Sequence, residues 1–453
     1  MRTALAAPLP DRALLGLAAG GLLALALACA ILAPPLFWFL LIAIAGAAIV
    51  FLAFRFTPAF TVAWLLIAAA TLEMTAADLL GEDWFQLTIA LVKGIGIALA
   101  IVAVLRYGPR LDVFNPGFAF VAMFAGGLVH GLWPGLGVTD TLRSLIGSVA
   151  PFLFGFSRLS RGWARAVIRA TAWAPILAVA AGAICDAAGL RPLFIDSGGW
   201  RLAALGHPAF LASVTETAVF ACLVELYRSG SRRDLSLLGT NLVLLLLTGA
   251  RAPMSLAVAV VGTSLLVVRA PAFPARQRVL LILGATTMLP LAAVVVFGLV
   301  PTHVSVVRAF EILTTNLSNL SGRQLLWPNF ESAAAASPWL GWGVGAGNVI
   351  IPSNGPVARL LQTWAAHNEY LRIGVEGGQI GRGLLILSLM LWVRGHTARL
   401  CPSDRTVMRL AFLALVAHAF TDNVLISTPA CVLFAFATAV FARGAWERGQ
   451  MPA

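Results

Sequence analysis

The sequence predicts an all-α, polytopic integral membrane protein with about fourteen transmembrane helices, twelve being the alternative count, and one large outer loop. Three observations carry this. Apolar runs of membrane-spanning length follow one another along most of the chain. Charged residues are scarce. The arginines fall in alternate gaps between the runs.

The composition excludes an ordinary soluble domain. Of 453 residues, 60% are hydrophobic and 11% charged, with a mean hydropathy of +0.91. Soluble domains carry about 25% charged residues. A net charge of +12 would suit nucleic acid, but the basic residues sit in short gaps between apolar runs, which reads as membrane orientation. Every basic residue except Lys93 is arginine, and the planar guanidinium suits two-pronged phosphate binding. Cys29, Cys185, Cys222, Cys401 and Cys431 are scattered, odd in number and without metal-ligand spacing. They read as small buried hydrophobes.

A span takes about 20 apolar residues. Runs near 13–33, 36–54, 59–80, 86–105, 113–133, 138–157, 164–186, 209–227, 235–249, 252–268, 279–300, 379–395, 406–421 and 424–442 fit that length. The first follows Arg2 and Arg12 and leads straight into the second, so it reads as a retained helix rather than a cleaved signal. With the N-terminus in the cytoplasm, the inner gaps hold Arg55, Arg106, Arg110, Arg158, Arg161, Arg165, Arg228, Arg232, Arg233, Arg269, Arg276, Arg278, Arg394, Arg399, Arg405 and Arg409. The outer gaps 34–35, 81–85 and 134–137 hold none. That alternation obeys the positive-inside rule and puts both termini in the cytoplasm.

Two outer segments are long, 187–208 and 301–378. A loop as long as the second is expected to be functional. Within it, 323–336 reads as an amphipathic surface helix and 338–347 (PWLGWGVGAG) as a glycine-rich turn. Residues 367–376 read as a helix stopped by Gly377-Gly378. We divide the chain into N-terminal transmembrane helices, 1–190, and a second membrane domain, 191–453, that includes the loop.

The stretch 363–383 gathers His367, Asn368, Glu369, Tyr370, Arg372, Glu376 and Arg382 in an otherwise greasy chain. A neutral imidazole can take a proton from a sugar hydroxyl, which makes His367 a candidate base. Tyr370 and Leu371 share its face. Glu369, Arg372 and Glu376 have ion-pair spacing, and for the two glutamates we prefer that structural role. The outer arginines Arg191, Arg201, Arg251, Arg308, Arg323, Arg359, Arg372 and Arg382 depart from the orientation rule. Either they clamp a phosphate through bidentate bonds, or they snorkel and pair with Asp196 or Glu216.

Glu73, Asp78, Lys93, Arg143, Arg169, Glu216 and Glu225 lie inside spans, where such groups mark a pathway or pair among themselves. Lys93 with a nearby glutamate is the natural pair. The run GWGVGAG (341–347) lacks the spacing and flanks of a nucleotide loop. His303, His396 and His418 have no sequence partners.

Four patches, in order, resemble the O-antigen ligase and O-antigen polymerase superfamily of bacterial inner-membrane glycosyltransferases. They are Arg201-Leu-Ala-Ala-Leu-Gly206-His207-Pro208; Leu247-Thr248-Gly249-Ala250-Arg251; Ser321-Gly322-Arg323 with Trp327, Pro338 and the glycines of 341–347; and Ala366-His367-Asn368-Glu369-Tyr370-Leu371 with Glu376-Gly377-Gly378. His418-Ala419-Phe420-Thr421-Asp422-Asn423 is a weaker echo. Ala250 departs from the serine that commonly precedes the arginine. The resemblance covers roughly residues 200–425.

The resemblance implies glycan transfer from an undecaprenyl-diphosphate-linked donor on the periplasmic face of the inner membrane, without metal, nucleotide or other cofactor. Arg201 and Arg251 would hold the diphosphate, and His367 would position or deprotonate the acceptor hydroxyl. Arg323, Arg372, Asn368, Tyr370 and Glu216 are second-rank candidates. The acceptor is lipid A-core for a ligase, or another lipid-linked glycan for an O-antigen or exopolysaccharide polymerase. A lipid-linked glycan flippase is the alternative of another class. Membrane lipid is an expected partner and nucleic acid is not.

Overall fold

The structure is a computed structural model that describes residues 48–196, 200–274, 276–279, 281, 325–352, 355, 358–359 and 363–449. The chain divides into two compact units, Met1–Thr57 and Pro58–Ala453. The first contributes helix α1, Ala48–Arg55, followed by Thr57, whose hydroxyl donates to the Ala53 carbonyl at 2.8 Å. The rest concerns the second unit.

Its helices are α2 (Thr57–Ala70), α3 (Glu73–Leu80), α4 (Asp83–Tyr107), α5 (Gly117–His130), α6 (Val138–Val149), α7 (Arg161–Ala187), α8 (Pro208–Ser229), α9 (Arg232–Leu247), α10 (Arg251–Val267), α11 (Trp327–Ala336), α12 (Glu369–Thr397), α13 (Pro402–His418) and α14 (Thr428–Glu447). Four described helices, α4, α7, α8 and α14, are long and apolar enough to cross a membrane. At 25 residues, α4 is about 37 Å long, more than the hydrocarbon thickness of about 30 Å. Helix α14 is buried along its whole apolar window and packs against α7, α8 and α4. Its small residues Ala430, Cys431, Ala435, Ala439, Ala442 and Gly444 allow that close approach.

Described helices overlap most of the expected spans. The runs 13–33 and 279–300, and most of 36–54, lie outside the described residues. Three expectations change. The run 59–80 breaks at Thr71-Leu72, where Thr71 takes φ 49°. The run 138–157 is α-helical only to Val149 and continues as a 3-10 turn, Ala150–Phe156. The chain is not wholly helical: β1 (Phe194–Asp196) and β2 (Trp200–Leu202) form an antiparallel hairpin with Ile195 opposite Arg201.

Two further differences concern the outer loop. The expected surface helix is shorter, and α11 buries Phe330 and Ala333. They join a small core with Leu136, Leu326, Ala346, Ala366 and Val375, so this part of the loop is packed. Gly377-Gly378 does not stop the helix. Gly378 (φ 58°, ψ −159°) breaks it, and α12 resumes beyond. A glycine is required there, because an added Cβ would lie 2.4 Å from the Trp339 carbonyl carbon.

Bonds between the helices define two ends. At one, Arg228 on α8 donates to Asp404 on α13 (2.6 Å) and pairs with Glu447 on α14. Arg443 joins Asp404 (3.1 Å) and Glu225. At the other end, Arg191 pairs with Asp78 and donates to the Gly206 carbonyl at 2.9 Å. Burial lowers the Arg191 guanidinium from the usual arginine value. The start of α10, the start of α12 and the turn 419–427 share this second end.

Candidate functional site

The site is built where α12 begins and α13 ends. Asn368 caps α12, its side-chain oxygen accepting from the amides of Tyr370 (3.0 Å) and Leu371 (3.2 Å). That cap sets His367 just outside the helix, at φ 45°, a conformation that costs about 1–3 kcal/mol for a non-glycine residue. The surroundings hold it there. Trp327 donates from Nε1 to the Ala366 carbonyl at 3.0 Å and meets Phe420 edge-on at 5.9 Å. The Glu369 amide donates to the Ala419 carbonyl at 2.7 Å.

His367 Nδ1 lies 2.9 Å from Asp422 Oδ1, and Nε2 lies 2.9 Å from the Thr363 hydroxyl. An ionised carboxylate only accepts, so Nδ1 carries the proton and Nε2 keeps its lone pair, an assignment made from the network. The turn that carries Asp422 is anchored on several sides. Lys93 Nζ donates to the Ile426 carbonyl at 2.8 Å. Thr428 donates to Glu73 at 3.0 Å. His418 meets Glu216 at 3.2 Å. Lys93 thus bonds a backbone carbonyl and Glu73 a hydroxyl, while the two charges also attract each other, as the sequence predicts.

The arginine patches form a second group at this end. Arg201, on β2, donates from Nε to the Thr248 carbonyl at 2.7 Å. Thr248 stands just before Gly249 (φ 62°), which turns the chain into α10. Arg251 therefore opens α10 instead of closing the preceding span, and its charge adds to the positive end of that helix's dipole. The hairpin brings the first two patches together. Helix α13, which precedes the turn carrying Asp422, packs on α10, which Arg251 opens.

The second-rank candidates are placed as follows. Arg372 is buried, paired to Glu369 and, at 2.6 Å, to Glu376, so its fork is used inside α12. Asn368 is the cap. The Tyr370 hydroxyl donates to the Val416 carbonyl at 2.8 Å. Glu216 is buried against His418, and its Oε1 has no hydrogen-bond partner. Arg323 and Arg308 lie outside the described residues. Gly341 and Gly343 bring the glycine-rich turn onto α12. The amides of Trp342 and Gly343 donate to the Val375 and Glu376 carbonyls at 2.8 and 3.0 Å.

Residues 236–387 match the family model described as O-antigen ligase. Over that third of the chain, the sequence is similar to the O-antigen ligase family. The O-antigen ligase match takes in Arg251, Arg323, His367 and Arg382 and leaves Arg201, Glu216, His418 and Asp422 outside. No curated protein matches the chain. Sequence reasoning missed Asp422 and Thr363 as partners of His367. The signal for Asp422 was the weak echo at 418–423; Thr363 had none.

Proposed function

We propose that the protein is an O-antigen ligase-like glycosyltransferase of the bacterial inner membrane, acting on its periplasmic face through the domain 191–453 and using about fourteen spans. The donor is a glycan on undecaprenyl diphosphate, and the acceptor is a hydroxyl of lipid A-core. The observation that carries the reading is His367 itself. One nitrogen is held by a carboxylate, and the other meets, among the described residues, a threonine hydroxyl that a sugar hydroxyl can replace.

In the reaction, the acceptor oxygen attacks the anomeric carbon and its proton passes to His367 Nε2. The bond from that carbon to the diphosphate oxygen breaks, and the diphosphate stays on the lipid. Asp422 steadies the imidazolium that forms. Arg201 and Arg251 take up the charge of the leaving diphosphate, the work that a divalent ion does in other transferases.

Purified protein in lipid, given lipid-linked donor and acceptor, should transfer glycan with EDTA present. Activity lost in EDTA and restored by magnesium sinks the metal-free mechanism. Donor that crosses the bilayer unconsumed makes the protein a flippase. In cells, loss of the gene should leave bare core lipopolysaccharide with polymer stalled on its carrier. Single repeat units would make it a polymerase.

A further inference from the structure

Arg382 is a charged side chain that the site described above does not use. It lies in α12, within the run 379–395 expected to span the membrane, four residues past the break at Gly378. Its side chain folds back across that break toward the outer end and rests on Gly374. A Cβ added there would sit 2.1 Å from Arg382 Nη2 and 3.1 Å from its Cζ. Nε is sealed from solvent with no hydrogen-bond partner, and no carboxylate among the described residues pairs with this guanidinium. Among the described residues, every other sealed arginine Nε, at Arg191, Arg278, Arg405 and Arg443, belongs to a side chain with a bonded terminal nitrogen. An unpaired guanidinium at membrane depth is costly unless it meets an anion.

The surroundings say what kind of anion. Ile386 and Met390 follow Arg382 at one-turn intervals on the same ridge, 43% and 61% exposed. On the outer side, Gly374 is one turn below Tyr370 and two below His367. Trp339, 67% exposed, takes the Ile380 amide on its carbonyl at 3.1 Å, and exposed tryptophan marks the interfacial level. A cation at that level, above an apolar track running down the helix, complements an amphiphile with a phosphate head and a long tail.

We propose that Arg382 binds the phosphate of a long-chain lipid phosphate. The head rests over Gly374 and the tail runs along Ile386 and Met390. The lipid is the polyprenyl carrier of the donor; that identity rests on the transferase reading, while the phosphate site does not. Gly374 is glycine because the guanidinium and the phosphate oxygens need the space a Cβ would fill.

The test is binding to purified protein by native mass spectrometry, with long-chain polyprenyl phosphate, phosphatidylglycerol and inorganic phosphate as probes. Arg382→Gln should weaken polyprenyl phosphate about tenfold or more, the loss of a charge-assisted contact, and Arg382→Lys should restore part of it. Gly374→Ala, which leaves the arginine in place but displaces its tip, should show the same loss. Phosphatidylglycerol and inorganic phosphate should change little.

Polyprenyl phosphate bound equally by wild type and Arg382→Gln overturns the proposal. So does an equal loss for phosphatidylglycerol, which assigns the guanidinium to bulk headgroups. Binding is read without glycan transfer, so the two readings fail separately. Protein that binds carrier through Arg382 but never transfers sinks the transferase alone. Active protein whose Arg382→Gln variant binds carrier normally sinks this site alone.

Discussion

Helix α12 carries a histidine at each end, and the two are built from the same parts to opposite effect. His367 has Asp422 at 2.9 Å on Nδ1 and the Thr363 hydroxyl at 2.9 Å on Nε2. His396 has Asp112 at 3.1 Å on Nε2 and a guanidinium nitrogen of Arg110 at 3.1 Å on Nδ1. In each case the carboxylate fixes which nitrogen is protonated. The difference is what meets the remaining lone pair. An arginine has no lone pair to exchange and only donates, so it closes His396. A hydroxyl is replaceable, so His367 stays open. Packing agrees: His396 stacks on Phe441 at 4.8 Å and is 10% exposed, whereas His367 is 22% exposed. A carboxylate–imidazole pair is therefore not itself a sign of chemistry. The open nitrogen is.

Exchanging each histidine for alanine breaks the comparison most sharply. His367→Ala should lower transfer by about 10²–10⁴-fold, the usual worth of a general base, with normal membrane accumulation. His396→Ala should leave transfer per folded molecule intact and cost about 1–3 kcal/mol of stability, since it strips buried Asp112 of a partner. The paired measurements are initial rates and thermal unfolding in detergent. A His396→Ala protein that folds well but is inactive would refute the division.

Asp422→Asn comes next in size. Asparagine can keep the contact to Nδ1 but cannot balance the imidazolium, so the rate constant should fall by about 10–10²-fold with donor KM unchanged. A rise in donor KM alone would instead place Asp422 on the substrate.

What could be read from the sequence follows from how local each feature is. The long helices were legible because a span is one uninterrupted apolar run. The ladder Glu369–Arg372–Glu376 was legible because its partners lie on adjacent turns. The hairpin carrying Arg201 was not, because three-residue strands are too short to show alternation. The break at Gly378 was readable as a stop but not as a stop from which the helix resumes, since that depends on Trp339 packing against it. Asp422 is 55 residues from His367 and Asp112 is 284 from His396; tertiary packing alone makes those pairs.

The closed end should also respond to acid in its own way. Burial acts to raise the Asp112 carboxyl. The hydrogen bonds from His396 and Trp392, with the Arg110 charge, outweigh it and hold the group below the ordinary carboxylate value. Its stabilising contribution is therefore complete above that ordinary value and is lost as pH falls through the lower, folded one. At neutral pH Asp112→Asn should cost about 1 kcal/mol. The gap to wild type should close as pH falls from the ordinary carboxylate value through the lower, folded one. A gap that widens on acidification would mean that the carboxylate destabilises the fold.

The smallest effect expected is at Thr363, and it bears on the open end most directly. If its hydroxyl only occupies the place of the acceptor, Thr363→Val should change the transfer rate by less than about threefold, under 1 kcal/mol in barrier. Valine keeps the branched shape while removing the group that the acceptor displaces. The lost bond to Nε2 weakens only the resting state, because in the working complex the sugar hydroxyl supplies it. A loss beyond about tenfold would instead make Thr363 a member of the proton path. His367 would then be as fully partnered as His396, and the contrast between the two ends of α12 would have to rest on something other than the open nitrogen.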